Sequence, residues 1–487
     1  MADIAEDIAD RKWQLFYGGD WQPAQGGDVL PVHTPIDGSR LATVPVADVT
    51  DVARAVAAAR DAAVPWGRTG PGQRIKTLRR VIDKVAGSVE ELAWLDTLNV
   101  GIPISAMRQE VAKTLEILDY YAGIGHEVKG VHHASTPDLV AYTRREPYGV
   151  VGQIYPFNHP LMFTLLGLAP ALLAGNGVVV KPADQAPLSS LALAELLADV
   201  LPPGLFNVVP GTGPGTGGAL CAHPDVPRIA FTGSVAGGRS VLRAAAEGVK
   251  HVSLELGGKN PLLVLPDADV DMAVAIAVRG MNLRGGAGQS CQSNSRVLVH
   301  AAVADRFVDA LVDAFDVIKV GDPRHEATEM GPLAFPAHYE RVRSYIEVGG
   351  AEGATLRYGG GRPAGVDDRG CYLEPTVFTD VRPGMRIADE EIFGPVVVVV
   401  GVASEEEMVE IANSLPFGLN ARIVGGSATA TMPLVERLEA GTVWFNESNR
   451  RPPGMPMGGH KQSGLGNQLG VGELLSYTQE KAVVLRV

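Results

Sequence analysis

The sequence predicts an α/β fold with two doubly wound parallel sheets, each covered by helices on both faces. Apolar strand-like runs alternate with helical segments from about Gly149 to Leu254, and a second alternating region begins at Pro261. Such alternation favours parallel strands joined by right-handed crossovers. The chain has 487 residues, which is too long for one hydrophobic core and indicates two or three domains.

Composition narrows the class of protein. With 46% hydrophobic and 20% charged residues, the chain is typical of a globular protein. The net charge of -13 argues against nucleic-acid binding. Cys221, Cys291 and Cys371 lack the spacing of a disulfide framework or a zinc site, so we expect a reducing, cytoplasmic setting and no metal. The segment Met1–Asp10 lacks the pattern of a secretory signal.

The first third of the chain is predicted to be mostly helical. Thr50 is a candidate helix cap, Pro71 stands where a second helix begins, and a third helix is expected from Ile104 to about Tyr121. The segment from Asp138 to Glu146 is predicted to be a strand, because its side chains would alternate between two faces. Those of one face are Leu139, Ala141 and Thr143, and those of the other are Val140, Tyr142 and Arg144. The arginines of that strand suit an exposed or intersubunit edge.

The apolar run Leu161–Val180 is the segment most like a membrane span. Pro170 and the turn at Gly175–Gly177 interrupt it. We therefore predict a buried helix, a turn and a buried strand at Val178–Val180, and no membrane association.

Strands are predicted in both α/β regions. The first region should contain the strands Gly149–Ile154, Gly177–Lys181, Phe206–Val209, Arg228–Phe231 and His251–Leu254, with helices at Leu188–Val200 and Val235–Gly248. The second should contain a helix capped by Asp267 or Asp269 and the strands Arg296–His300, Val396–Val402, Ala421–Val424 and Thr442–Asn446. The tail, Lys481–Val487, is a candidate strand that could pair with the Leu139 strand or with another subunit.

The segment Gly285–Cys291 ends in a thiol that is a candidate nucleophile. Its glycines leave room for a substrate and a cofactor to approach the backbone. A free cysteine is mostly protonated at neutral pH, so a catalytic site would have to activate it. The alternative is that Cys291 is simply a small buried hydrophobic residue.

Polar residues follow several strands, and ligands on parallel sheets bind at the carboxyl ends of strands. Asn158 could stabilise an oxyanion or form a turn. Glu255, beside two glycines, could be a general base or a solvated residue at a turn. Lys181 and Asp184 could bind ribose hydroxyls or form a surface ion pair. Ser234 could help to hold a pyrophosphate or simply cap a helix.

Three further stretches are less informative. Glu391 could supply a carboxylate that binds a ribose and Phe393 an aromatic contact, or both could belong to an acidic turn before a strand. The segment Gly211–Gly218 contains a GxGxxG match, but Pro214 lies inside it and no acidic residue follows at the usual interval, so we interpret it as a tight strand-to-helix turn. His159 is interpreted as a packing residue.

Together these stretches resemble the aldehyde dehydrogenase superfamily, from about Trp21 to Lys481. The motifs occur in the family's order, which is far more specific than any one of them. They are Pro156–Asn158, Lys181–Asp184, Phe231–Ser234, Glu255–Lys259, Gly288–Cys291, Glu391–Pro395 and Pro456–Gly464.

The resemblance implies the oxidation of an aldehyde to a carboxylic acid with NAD, NADP being the alternative. Cys291 would attack the aldehyde, the Asn158 amide and the Cys291 backbone N–H would hold the oxyanion, and hydride transfer would leave a thioester. Glu255 would activate the water that hydrolyses it. Implied ligands of the cofactor are Lys181 and Asp184 at the adenosine ribose, Ser234 at the pyrophosphate, Glu391 and Phe393 at the nicotinamide end, and the neighbouring Pro156 and Gly233.

The family fold also implies a domain organisation. The cofactor domain would comprise 1–124 and 146–257, and the catalytic domain 258–465. A small β arm, 125–145 and 466–487, would serve a homodimer or homotetramer. Phe157 replaces the family's usual tryptophan, and Asn467–Gln468 replaces a frequent Arg-Glu pair. Asp184 stands where glutamate is common in members that prefer NAD, and its carboxylate should repel the 2′-phosphate of NADP.

The substrate pocket is predicted to include Phe163, Leu166, Gly285, Ser290 and Gln292. Succinic semialdehyde dehydrogenases carry arginines at the places of Leu166 and Gly285, so we expect an aliphatic or aromatic aldehyde, with a carboxylated semialdehyde as the alternative. The pair Arg450–Arg451 is interpreted first as solvated surface residues and second as the holder of a carboxylate at the tunnel mouth.

Two other functions compete with this one. A cysteine esterase could use the same thiol and oxyanion donors, but no histidine stands in a recognisable Cys-His arrangement. A binding or structural role is the second rival. The joint presence of Cys291, Glu255 and Asn158 argues against it.

Overall fold

The computed structural model describes residue 8 and residues 10–487. Two mixed sheets with parallel centres dominate it. The predicted absence of a secretory signal rests mostly on residues 1–7 and 9, which lie outside the described residues.

The first sheet has eight strands. Its central strands run parallel, whereas the strands at both of its edges are antiparallel to their neighbours. In spatial order the strands are Asp20–Gln22, Leu15–Tyr17, Phe206–Val208, Gly177–Lys181, Val150–Ile154, Arg228–Thr232, His251–Glu255 and Gly464–Leu465.

The second sheet has seven strands, and only its first edge strand is antiparallel. In spatial order the strands are Thr355–Tyr358, Thr376–Thr379, Val396–Val402, Arg296–His300, Pro261–Val264, Asn420–Val424 and Thr442–Phe445. Three two-stranded sheets accompany the large ones: Val29–His33 with Arg40–Pro45, Leu139–Pro147 with Thr478–Arg486, and Phe417–Gly418 with His460–Lys461.

Helices connect the strands. Those of the first half are Val49–Gly67, Pro71–Ala86, Val89–Val100, Ile104–Ile124, Pro160–Ala174, Leu188–Leu196, Gly218–Ala222 and Val235–Ala246, with short turns of helix at Gly125–Glu127 and Gly213–Gly217. Those of the second half are Val270–Gly280, Leu283–Gly286, Ala304–Asp316, Pro336–Ala351, Arg386–Asp389, Glu405–Asn413, Ala428–Arg437 and Val471–Ser476.

Each large sheet has its own hydrophobic core, which is the arrangement expected of two α/β units. The helix Pro160–Ala174 is buried along most of its length. It continues through Pro170 to Ala174, and the turn and buried strand predicted after it are present. The carbonyl of Gly167 accepts a hydrogen bond from Gln153 at 2.7 Å. The helix ends at Gly175, where φ is +96° and a Cβ would meet Arg74 Nη1 at 2.6 Å. Packing on both sides therefore holds a helix that proline alone would weaken.

The N-terminal region differs from its prediction. Four short strands precede the first of the long helices, because strands this short carry little periodicity to recognise. The cap of helix Val49–Gly67 is Asp48, not Thr50: its carboxylate accepts from Thr50 N and Asp51 N in a reciprocal capping box. Asp269 caps helix Val270–Gly280, in agreement with one of the two predicted alternatives.

The strand at the C-terminus pairs with the Leu139 strand of the same chain. Leu139–Pro147 and Thr478–Arg486 form an antiparallel ribbon over nine residues each. The predicted turn near Gly211 also leads from the strand Phe206–Val208 into the helix Gly218–Ala222. Among the described residues, no helix combines the length and the apolar character needed to cross a membrane.

Candidate active site

The loop that carries Cys291 lies against the first sheet. Asn158, in the loop after strand Val150–Ile154, donates from Nδ2 to the carbonyl of Gln289 at 2.9 Å. Glu255, the last residue of strand His251–Glu255, lies close enough to Cys291 for its carboxylate to raise the pKa of the thiol. The structure thus brings Cys291, Asn158 and Glu255 together, although Asn158 and the cysteine loop are far apart in the sequence: 131 positions separate Asn158 from Gln289.

Backbone geometry and one amide hold the cysteine loop. Ala287 and Gly288 adopt left-handed conformations, with φ of +52° and +73°. A Cβ at Gly288 would meet the carbonyl oxygen of Gly394 at 2.3 Å, so glycine is required there for backbone packing. Asn260 donates to the carbonyls of Cys291 at 2.8 Å and Ser293 at 2.9 Å. The loop is therefore fixed before any ligand binds.

The thiol of Cys291 is enclosed, although the residue keeps some accessible surface. Burial, and then the carboxylates of Glu255 and Glu391, raise its pKa to about 12, against the backbone N–H of Cys291 and the Arg451 guanidinium, which lower it. In the free protein the sulfur is therefore a thiol at neutral pH, and a base is needed to produce the nucleophile.

Glu255 is 5% exposed, and its carboxylate accepts no hydrogen bond from the described residues. Burial, followed by the nearby Glu473 carboxylate, raises its pKa well above the usual value, and Arg451 opposes this rise. Its strand end is held by Gly464, which pairs with it across the sheet. Ser463, fully buried, donates to the carbonyl of Gly257 at 2.8 Å. A raised pKa in an enclosed site is typical of a carboxyl that exchanges protons near neutral pH.

Asn158 is 5% exposed, and its Oδ1 is a buried oxygen without a hydrogen-bond partner among the described residues. One amide N–H is used by Gln289, so the second remains for a ligand. The next residue, His159, pairs through Nδ1 with the Glu110 carboxylate at 2.6 Å. Glu110 raises the pKa of this histidine against the lowering effect of its burial.

Four of the predicted cofactor residues lie along the first sheet. Lys181 ends its strand 3% exposed and pairs with Asp184, so this is a buried cation with a partly exposed carboxylate and not a surface ion pair. Ser234 caps the helix Val235–Ala246, its Oγ accepting from Gly237 N at 3.1 Å. Gly233 N donates to the carbonyl of Glu255 at 3.0 Å and ties this turn to the candidate base.

Glu391 and Phe393 approach from the second sheet. The Glu391 carboxylate accepts from Gly258 N at 2.9 Å, and burial raises its pKa. The Phe393 ring lies 5.9 Å from that of Phe157, which also contacts Phe335 at 4.9 Å. His338 completes this aromatic cluster. Pro156, which precedes Phe157 in the sequence, is half-buried. Phe157 thus occupies a packed aromatic site in place of the family's usual tryptophan.

The two arginines of the loop after strand Thr442–Phe445 have different environments. Arg450 is exposed, whereas Arg451 turns inward. The Nε atom of Arg451 is buried without a partner, and its guanidinium lies 5.3 Å from the Trp444 ring. Cys291 and Glu255 both act on its pKa. The preferred interpretation of a solvated pair is therefore wrong for Arg451, because the loop folds back over the site.

The predicted pocket residues divide between the interior and the cleft. Phe163 is buried, stacked 6.0 Å from Tyr155. Leu166, Gly285 and Ser290 are half-buried. Gln292 donates to Met457 Sδ at 3.5 Å, which joins the cysteine loop to the loop that carries Arg451.

Sequence reasoning missed several residues that shape the site. Ser463 was part of a quoted motif but received no role, and Asn260, Phe335, His338 and Glu473 stood in no motif at all. Only the position of Asn260 directly after the motif Glu255–Lys259 offered a signal. Within the described part of the chain, His, Cys, Asp and Glu side chains form no group of three or more that could hold a metal.

An enclosed thiol beside an amide and a buried carboxyl, between two α/β units, defines a class of enzyme that works through a cysteine. Comparison with known proteins identifies the family. The sequence model of the Aldehyde dehydrogenase family matches residues 21–483. The chain therefore belongs to the aldehyde dehydrogenase family, as the motifs indicate.

Relatives agree with this assignment. A hydroxyisobutyraldehyde dehydrogenase of Mycolicibacterium austroafricanum is 43% identical over 470 residues, covering 96% of this chain and 93% of the relative. An aldehyde dehydrogenase of Bacillus cereus, solved as its NAD+ complex, is 40% identical with a TM-score of 0.95, covering 99% of this chain and 98% of the other. A betaine aldehyde dehydrogenase of Staphylococcus aureus with NAD+ is 33% identical with a TM-score of 0.96, over 100% and 97% of the two chains. The predicted fold class is confirmed.

Proposed function

We propose that this protein oxidises an aldehyde to a carboxylic acid with NAD, using Cys291 as nucleophile, Asn158 as oxyanion donor and Glu255 as general base. The observation that carries the proposal is the convergence of these three side chains on one loop, with the Asn158 amide 2.9 Å from the Gln289 carbonyl. Family membership and the NAD+ complexes of similar proteins support the reaction class and the cofactor.

The residues present suit a dinucleotide. Ser234 opens a helix whose first backbone N–H groups favour a phosphate. The Lys181–Asp184 pair offers a donor and an acceptor to ribose hydroxyls, and the Glu391 carboxylate offers an acceptor near the candidate nucleophile. NAD, when bound, supplies a hydride acceptor. We assign these residues, with Phe393, to its binding.

The chain's own groups account for the proton transfers. Glu255 takes the proton of Cys291. Its raised pKa lies closer to the pKa of the thiol than that of an ordinary glutamate does, which favours this proton transfer. The thiolate adds to the aldehyde carbon, and Asn158 donates its free N–H to the resulting oxyanion. After the aldehyde carbon loses hydride, a thioester joins it to Cys291. Glu255 releases its first proton to solvent and then takes a proton from the water that cleaves this thioester. That proton passes to the departing Cys291 thiolate as the acid is released, which restores the thiol and the Glu255 carboxylate.

The test is the stoichiometry of the reaction. Purified protein with an aldehyde and NAD should form one equivalent of acid per equivalent of reduced cofactor, measured by chromatography and by absorbance. Acid quenching during turnover should leave an acyl adduct on the peptide that contains Cys291, detected by mass spectrometry. Turnover with an adduct on another residue would contradict the assignment of the nucleophile.

We also propose that the ribbon Leu139–Pro147 with Thr478–Arg486 joins copies of the chain into a homo-oligomer. An isolated two-stranded ribbon is marginally stable in water. It also exposes apolar side chains, such as Val484 at 64% and Leu485 at 47%. Val484→Glu with Leu485→Lys should give a smaller species in light scattering than the wild type does. An unchanged molar mass would overturn this role.

The free state of the three cysteines supports a reducing, cytoplasmic setting.

A further inference from the structure

Arg451 is an inward-facing cation without a carboxylate partner. Its guanidinium forms no salt bridge with a carboxylate of the described residues, and its Nε atom is buried and unpaired. Its one side-chain hydrogen bond is to Thr442 Oγ1 at 3.4 Å, a long contact with a neutral group. Burying a charge without a counter-ion is costly, so a group of this kind indicates a missing anion.

A second arginine increases the local positive charge. Arg422 is fully buried, and its guanidinium lies 4.8 Å from the Trp444 ring, which Arg451 also contacts. Its partners are the neutral oxygens of Ser448, Asn420 and Asn449. Burial, and then the Arg451 charge, lower the pKa of Arg422 to about 9. Two guanidinium groups therefore share one aromatic ring, and neither forms a salt bridge with a carboxylate of the described residues.

The groups of the reaction centre form no ion pair with the Arg451 guanidinium. Burial raises the pKa of the Cys291 thiol to about 12 and that of the Glu255 carboxyl well above its usual value, which favours the neutral form of each group. Both nevertheless lie close to Arg451. The uncompensated charge is thus next to the place where the aldehyde carbon must be.

The loop that carries Arg451 also faces the expected path of the substrate. Met457 accepts from Gln292, the neighbour of Cys291. Gly454 lies against the hydroxyl of Tyr120, on helix Ile104–Ile124. The loop therefore closes the space between this helix and the cysteine loop, and Arg451 points inward from it.

We propose that Arg451 binds a carboxylate carried by the aldehyde substrate, so that the enzyme prefers carboxylated aldehydes to uncharged ones of equal length. A guanidinium binds a carboxylate with directed, charge-assisted hydrogen bonds. The inference rests on the proposed function and names its substrate class. It reverses the sequence-based preference for an aliphatic or aromatic aldehyde, which relied on the absence of arginine at Leu166 and Gly285.

The experiment compares matched substrates. Succinic, glutaric and adipic semialdehydes are each paired with their methyl esters, and kcat/KM is measured with NAD for the wild type, Arg451→Gln and Arg450→Gln. Arg450 is the matched control because it is the exposed neighbour. At the preferred length, Arg451→Gln should lower kcat/KM for the acid by roughly 10- to 100-fold, the size of a lost hydrogen-bonded charge. The ester should change much less, and Arg450→Gln should change neither.

A second measurement needs no turnover. Glutarate, or the dicarboxylate of the preferred length, should protect Cys291 from alkylation by iodoacetamide in the wild type and in Arg450→Gln, but not in Arg451→Gln. Thermal unfolding of each variant checks that it is folded.

Different failures have different meanings. An equal loss for acid and ester would show that Arg451 acts on the thiol or on Glu255, and would overturn the proposal while leaving aldehyde oxidation intact. A wild type that oxidises the esters as well as the acids at every length would do the same. Absence of turnover for every aldehyde, with normal folding, would overturn the proposed function itself.

Discussion

The polar residues around Cys291 fall into two groups that differ in how the protein partners them. On the side assigned to the cofactor, Lys181 pairs with Asp184, Ser234 accepts a backbone N–H, and Glu391 accepts another at 2.9 Å. These groups are held in place by the fold without any ligand. Each could therefore be interpreted as purely structural if it were considered alone.

The groups assigned to the substrate are incompletely partnered. Arg451 has a buried Nε atom without an acceptor, and Asn158 has a buried Oδ1 without a donor. Glu255 accepts no hydrogen bond from the described residues. A polar atom that the protein buries and leaves unpaired costs free energy, so it indicates where a reacting ligand completes the site. We therefore predict that substitutions of the incompletely partnered residues lower the rate of the reaction. Substitutions of the partnered residues should instead change the preference between NAD and NADP.

The largest effect is expected for the nucleophile. Cys291→Ala should lower kcat by at least ~10,000-fold, because the covalent step has no substitute. Cys221→Ala is the matched control, since Cys221 is 2% exposed and lies in the core, and it should keep the wild-type rate of NADH formation. Substantial activity in Cys291→Ala would show that Cys291 is not the nucleophile, and the two groups of residues would then not surround the reacting atom.

The next effect concerns the base. Glu255→Gln should lower steady-state kcat by roughly 1,000-fold, the range for a general base, and should also slow the first formation of NADH, because Glu255 deprotonates both Cys291 and the hydrolytic water. Because the pKa of Glu255 is raised, the carboxylate form increases as pH rises, so the wild-type rate should rise with pH until this group is ionised. The variant should lack that rise.

Glu247→Gln, at an exposed position, is the control for this change and should keep both the rate and the pH profile. A Glu255→Gln protein with the wild-type pH dependence would assign the base to another residue.

A smaller loss is expected for the oxyanion donor. Asn158→Ala should lower kcat by roughly 100-fold with a smaller change in KM, because its N–H acts mainly on developing charge. The rate of Cys291 alkylation should stay near that of the wild type, showing that the loop is intact. If KM alone changed, Asn158 would be a binding residue instead.

The smallest effect should come from a partnered group. Asp184→Ala should narrow the preference for NAD over NADP by roughly 10-fold, because two like charges in a partly exposed site repel by about 1 kcal/mol or more. The ratio of kcat/KM for the two cofactors measures this, with the exposed Asp368→Ala as control. No shift in the ratio, or a wild type that prefers NADP, would contradict the assigned role of Asp184.

Much of the fold could be predicted from local pattern. The strands Gly177–Lys181, Arg296–His300 and Val396–Val402 match their predictions in both bounds, because short apolar runs between turn residues have few other ways to be buried. The four N-terminal strands, from Leu15–Tyr17 to Arg40–Pro45, were not predicted, since strands of three to six residues carry little periodicity. Pro170 did not end its helix, because packing by the rest of the chain outweighed a local preference.

What the sequence determined by itself was the order of α and β elements and the residues available for chemistry: one thiol, one amide and one carboxyl, each after a strand or a glycine-rich turn. What only the tertiary structure decided was which polar atoms end up partnered. Arg450 and Arg451 are adjacent and chemically identical, yet one is solvated and the other faces the site. The physical reason is that secondary structure follows from neighbours along the chain, whereas burial and partnering depend on segments such as Trp444 and Cys291 that only folding brings near.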